Sequence, residues 1–186
     1  RKDADTGLEY IAEVPVPERV TRLVERISNL VALRETKAAD KRVAIIYYNS
    51  PPGKENIGAS YLNVLPRSLW QMVQRLETEG YDTQGRPATE DALFERLREH
   101  GINIGSWAPG ALEKLVKGGN AALLPVAEYR QWFDKLPKKL RDPMLQAWGE
   151  PEDFGLMVWR DPRGVKNFVF PPQRFGKLLF APEPAR

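Results

Sequence analysis

RVAIIYY (residues 42–48), running directly into NSPPGKENIGASYLN (residues 49–63), is the stretch on which the fold turns. Its first part is β-branched and aromatic without polar alternation, the pattern of a strand buried on both faces of a parallel sheet. Its second part is rich in Pro, Gly, Asn and Ser and reads as a long shaped loop. Leu69, Met72, Val73 and Leu76 then recur at helical spacing, and Gly80 follows the last turn, where a left-handed residue closes a helix. Strand, loop and helix in that order are the unit of an α/β fold.

Upstream of the strand, Val20, Leu23, Val24, Ile27, Leu30 and Val31 predict an amphipathic helix from Pro17 to Thr36, with Pro17 in the first turn and Glu18 near the positive end of the helix dipole. Downstream, Thr89 caps a helix reaching about His100, with Glu90 and Asp91 in its first turn and Leu93, Phe94 and Leu97 inward. Pro109 opens a short helix ended by Gly118-Gly119. Pro125 opens another carrying Val126, Tyr129, Trp132, Phe133 and Leu136, and Asp142-Pro143 is read as the start of one more, ending near Gly149. Leu156–Trp159 and Val165–Phe170 flank Asp161-Pro162-Arg163-Gly164, a type I turn sequence, and predict a β-hairpin. Lys177–Ala181 predicts a second buried strand. The expected architecture is α/β: a mainly parallel, Rossmann-like sheet with a helical insertion and a small β-hairpin. The expected division is residues 1–40 as a helical lead-in and residues 41–186 as an α/β domain.

Composition excludes several chemistries. The chain of 186 residues is 42% hydrophobic and 28% charged, as expected of a folded globular protein. A formal charge of +3, from 28 basic and 25 acidic side chains, is too small and too evenly spread to steer nucleic acid. Without cysteine there is no disulfide framework or thiol chemistry, and with His100 as the single histidine no histidine-rich metal site can form within the chain. A reducing, cytoplasmic setting is compatible with this composition. No run approaches the length of a membrane span, and Arg1–Thr6 lacks the apolar region of a signal peptide.

The familiar motifs are missing too. Gly53-Lys54 follows a strand, but Glu55 stands where a phosphate loop needs Ser or Thr and no glycine lies five residues upstream. Gly58 lacks the partner glycines of a dinucleotide fingerprint. His100 reads as a last-turn residue favoured by the helix dipole rather than as a general base. Ser60 and Ser68 have no nearby triad partners, and Trp132-Phe133 reads as core.

That leaves the loop after the strand. Open α/β sheets place ligands outside the carboxyl ends of their strands. In the loop, Asn49, Asn56 and Asn63 can donate and accept hydrogen bonds, Lys54 can meet a carboxylate, and Gly58 lets a ligand approach the backbone, with Ser60 and Tyr61 beside them. These seven residues are the candidate binding site. The alternative is a shaped connection stiffened by Pro51-Pro52, and physical chemistry alone leaves both open.

At this loop the sequence resembles the large subunits of the cobaltochelatase and magnesium chelatase family, especially the CobN-like branch. The resemblance runs through RVAIIYYNSPPGKENIGASYLNVLPRSLWQMVQRLETEGY (residues 42–81), Asn103–Gly110, Leu124–Tyr129, Arg174–Lys177 and Ala181–Arg186, in order along the chain. Lys177 stands where the family often has Asn, and Glu183 where it often has Gln. Such large subunits are several-fold longer, so the resemblance implies an internal domain, consistent with the missing initiator methionine. It implies a role in binding a corrinoid or porphyrin while cobalt, or magnesium, is inserted as substrate. ATP would be hydrolysed by AAA+ partner subunits, which accounts for the absent phosphate loop. The expected function is a domain of a cobaltochelatase of cobalamin biosynthesis, in the ligase class and inactive alone. The alternatives are a magnesium chelatase domain and a scaffolding module. No cofactor is expected to reside in this domain, and its partners would be the other domains of the large subunit, the ATPase subunits and the macrocycle.

Overall fold

A computed structural model describes residues 3, 5–9, 13–58, 65–153 and 155–184. In chain order the helices are α1 (Pro17–Glu35), α2 (Leu65–Thr78), α3 (Glu90–His100), α4 (Pro109–Lys117), α5 (Val126–Phe133) and α6 (Lys138–Trp148). The strands are β1 (Val43–Tyr47), β2 (Ala122–Pro125), β3 (Val158–Arg160), β4 (Lys166–Phe170), β5 (Gln173–Phe175) and β6 (Leu178–Pro182). The chain divides into two compact units, Arg1–Lys37 and Ala38–Arg186.

The first unit is built on α1. Pro17 occupies its first turn with Glu18 beside it, and Arg34 lies in the last turn, so the charges oppose the helix dipole. Thr36 closes it, its backbone N–H and its hydroxyl both donating to the Ala32 carbonyl.

The second unit holds two three-stranded sheets. One has the order β1-β6-β5, with β1 and β6 parallel from Val43 opposite Leu178 to Tyr47 opposite Pro182, and β5 antiparallel to β6. The other has the order β2-β4-β3 and is antiparallel throughout. The expectation of a mainly parallel, Rossmann-like sheet is therefore corrected. Among the described residues, one strand pairing of four is parallel. The physical reason is that β5 and β6 are joined by a tight turn at Gly176, which can only return the chain antiparallel, and the long helical insertion closes its own small sheet.

Packing corrects the reading of β1 as well. Tyr47 is buried, whereas Ala44 and Ile46 are exposed, Ile46 by 58%. One face of the β1-β6-β5 sheet is covered by α2 and α3. There Leu69, Val73, Leu93 and Leu97 meet Tyr47, Phe175, Leu178 and Phe180. The apolar run is continuous, but this single helical layer buries alternate residues only. A second core joins α4 to the other sheet through Leu112, Leu115, Met157 and Val169. Ile104 packs against both cores.

Other expectations hold locally. Thr89 caps α3, its hydroxyl accepting from the Ala92 N–H at 3.2 Å. Gly80 has a φ of 81°, the left-handed value that only glycine adopts without strain. The hairpin forms, with Asp161 Oδ1 accepting from the N–H groups of Arg163 and Val165 at 2.9 and 2.8 Å. In contrast, α6 begins at Lys138, one turn before the expected start, and carries Pro143 inside it. Strands β2 and β5 lie outside the sequence-based expectation, because each is short and borders a proline-initiated segment.

Candidate functional site

Parallel pairing places the carboxyl ends of β1 and β6 side by side, and the loop after β1 departs from there. Asn49, the second residue after β1, is 1% exposed. Its Nδ2 donates to the Gly53 carbonyl at 2.9 Å, and its Oδ1 accepts from the Asn103 backbone N–H at 2.7 Å. The Asn103 side chain in turn donates to the carbonyls of Asn49 at 3.4 Å and Glu183 at 2.8 Å. Glu183, just past β6, returns its N–H to the Tyr47 carbonyl at 2.8 Å. Two buried asparagines thus tie the loop, the segment after α3 and the end of β6 into one network whose polar groups satisfy one another.

The loop's shape follows from its glycines. Gly53 sits at a φ of 135° and Gly58 at 66°, and the Gly58 N–H donates back to the Tyr48 carbonyl at 2.6 Å. Ile57 is buried and anchors the turn below. Beneath the network, the Tyr47 hydroxyl donates to the Gly101 carbonyl, and burial pushes the phenol's pKa well above its ordinary value.

Of the seven candidate residues, Asn49 and Gly58 face inward and shape the loop. Asn56 is half-buried, its amide 3.8 Å from where a Gly53 Cβ would sit. Lys54 is exposed and has no ion-pair or hydrogen-bond partner among the described residues, whereas its neighbour Glu55 pairs with Arg98 at 3.0 Å. Ser60, Tyr61 and Asn63 lie outside the described residues. His100 ends α3 as expected, with Nε2 3.7 Å from Glu99. Among the described residues, no three His, Asp or Glu side chains come together as metal ligands.

Sequence reasoning missed Asn103 as a site residue. The signal was available: a polar side chain between Ile102 and Ile104, immediately after a helix, is a buried group in want of partners. It also missed a cavity of about 480 Å³ in the second unit, between α5, α6 and β4, whose walls include Tyr129, Phe133, Met144, Trp148, Met157 and Phe168. Among the described residues, no acidic, basic or imidazole side chain lines it. Tyr129 holds its wall together, stacking on Phe133 at 5.6 Å between ring centres and meeting Phe168 edge-on at 5.0 Å. Trp132, expected beside Phe133 in the core, is 59% exposed, while Phe133 is buried. Next to the cavity, Arg130 is held between Glu150 and Glu152, which raises its already high pKa.

Comparison with known proteins assigns this arrangement to a family. The family model described as CobN/Magnesium Chelatase matches residues 1–186. The chain belongs to the CobN/magnesium chelatase family. Within it, the chain is 26% identical over 185 residues to the aerobic cobaltochelatase subunit CobN of Sinorhizobium sp, covering 99% of this chain and 13% of that protein. It is 30% identical over 146 residues to a magnesium-chelatase subunit of Rhodobacter capsulatus, covering 78% of this chain and 11% of that protein. Among solved structures, the catalytic subunit of cobaltochelatase from Mycobacterium tuberculosis superposes on all of this chain with a TM-score of 0.68 and 28% identity, over 14% of its own length. This CobN/magnesium chelatase chain therefore spans a small part of the length of its relatives. Its mixture of helices with small sheets is an α/β fold similar to that of cobaltochelatase.

Proposed function

We propose that this chain is a domain of the large subunit of an ATP-dependent cobaltochelatase, in the ligase class, acting in the cytoplasm during cobalamin biosynthesis. In this reading the whole subunit holds a corrinoid or porphyrin while a divalent ion displaces protons from its ring nitrogens, and AAA+ partner subunits hydrolyse the ATP. The observation that carries the proposal is the match of the CobN/Magnesium Chelatase model to the whole chain. Cobalt is favoured over magnesium by reach: two CobN relatives align with 99% and 95% of the chain, and the Rhodobacter capsulatus magnesium relative with 78%.

Within the domain, the network around Asn49 and Asn103 supports a loop held in one shape, leaving Lys54, unpaired among the described residues, to meet a substrate carboxylate or an adjacent domain. Taking protons from ring nitrogens needs bases close to the macrocycle. Those belong, in this proposal, to other domains, because the loop's carboxylate, Glu55, is paired with Arg98 and its other candidate groups are amides and an ammonium group.

The test is reconstitution of the full-length subunit with its ATPase partners, offering cobalt or magnesium together with a corrinoid or a porphyrin. ATP-dependent cobalt insertion into the corrinoid is expected. Magnesium insertion into the porphyrin, with none of cobalt into the corrinoid, would establish the magnesium reading instead. A Lys54→Ala subunit with wild-type substrate affinity and turnover would remove the ligand role of the loop and leave it a scaffold.

A further inference from the structure

The cavity between α5, α6 and β4 has the features of a ligand site that the loop lacks. Its volume of about 480 Å³ lies in the range of roughly 300–1,000 Å³ typical of small-molecule pockets. Its lining combines aromatic rings and thioethers with Leu145, Leu156 and Val169, and the rings and sulfurs attract a flat, polarisable π-system through stacking and sulfur–ring contact. A compact aliphatic ligand would gain nothing specific from these rings, and a charged one would find no counter-ion in the described lining.

Two details favour occupancy over mere imperfect packing. Two large apolar side chains of the lining reach the surface, Met144 at 45% and Trp148 at 60% exposure, both on α6. One buried lining residue is held under strain: Met157 has a φ of 52°, an uncommon conformation for a bulky residue. It is fixed there by the Ile104 N–H donating to its sulfur at 3.1 Å and by its carbonyl accepting from the Val169 N–H at 2.8 Å.

The cavity also communicates with the end of the parallel strands. Ile104, bonded to Met157, directly follows Asn103 of the loop network, and Pro184 of the cavity wall directly follows Glu183 of the same network. Its wall therefore reaches the segment that follows β6.

We propose that this cavity seats one face of a flat conjugated macrocycle, with the ring system against Tyr129, Phe168 and Trp148 and any ionised substituents left outside in water. The proposal rests on the function proposed above and adds the place where the macrocycle is gripped. A protein segment with an apolar helix face is the competing occupant, and the test separates the two.

The probes are protoporphyrin IX and a metal-free corrinoid, each titrated into the 186-residue chain and followed by its visible absorption band and by quenching of tryptophan fluorescence. Met144→Glu and Trp148→Ala alter exposed positions on α6, and circular dichroism verifies that both variants fold. Trp107→Ala, at a 70% exposed tryptophan outside the cavity, is the control. Saturable binding weakened about ten-fold or more by each cavity variant, and less than about two-fold by the control, is the expected result. Equal binding by all four proteins would overturn the cavity while leaving the chelatase reading intact, and so would failure of the wild-type chain to bind. Unchanged porphyrin affinity, with loss of the full-length subunit's assembly or solubility in Met144→Glu, would assign the cavity to a protein segment. Loss of metal insertion in the reconstitution assay with porphyrin binding retained in this titration would instead sink the chelatase reading alone.

Discussion

Asn49 is the residue on which the loop depends, since removing its side chain leaves the buried Asn103 N–H without its partner and the Gly53 carbonyl with only the longer bond from the Asn56 N–H, at 3.3 Å. Asn49→Ala is expected to lower stability by about 1–3 kcal/mol, the cost of orphaned buried polar groups, measured as a lower urea midpoint at constant slope. A midpoint equal to that of the wild type would mean water replaces both bonds. Tyr47 supplies a pH prediction. Its folded-state pKa is raised by burial above the unfolded value near 10, so its stabilising contribution is complete below about pH 10 and is lost as pH rises further, where the unfolded chain releases the proton first. Tyr47→Phe should therefore flatten the fall in stability above about pH 10, and identical slopes in the two proteins would refute this. Asn49 was legible as important from its place after the strand. Its inward orientation was not, because an amide in a loop serves a ligand or the loop itself equally well until its partners are known.

Elements were legible where capping and periodicity agreed. Helix α3 has its threonine cap, acidic first turn and spaced leucines all within a single short segment, and the hairpin between β3 and β4 has its turn in Asp161–Gly164. Short strands β2 and β5 carry no such internal signal, being defined by the strands they pair with. The turn between β5 and β6 offers a sharp test. Gly176 has a φ of 55°, and a Cβ there would lie 2.1 Å from Asp82 Oδ1 and 2.7 Å from the Asp82 carbonyl oxygen. Gly176→Ala should cost about 1–3 kcal/mol through both strain and overlap with backbone that cannot rotate away. A thermal midpoint unchanged from the wild type would show that the Asp82 segment yields freely. The lesson of β1 is similar: its apolar run announced a strand, while the number of layers packed on it decided that Ile46 stays exposed.

At the scale of the second unit, the two sheets share Ile104, which touches both cores. Ile104→Ala is expected to destabilise by about 1–3 kcal/mol in one cooperative transition, with tryptophan fluorescence and far-ultraviolet dichroism falling together. Separate transitions by the two probes would mean that the cores unfold independently. The amino-acid sequence by itself determined the α/β character, the order of its main helices, the hairpin and the resemblance to metal chelatases, because caps, turns and periodicity act over a few neighbouring residues. Only the tertiary structure decided that the strands divide into two sheets with a single parallel pairing among the described residues, that Asn49 and Asn103 bond across 54 positions of chain, and that distant aromatic side chains enclose a cavity. Those outcomes depend on which surfaces meet, and burial has no direction along the chain from which it can be read in advance.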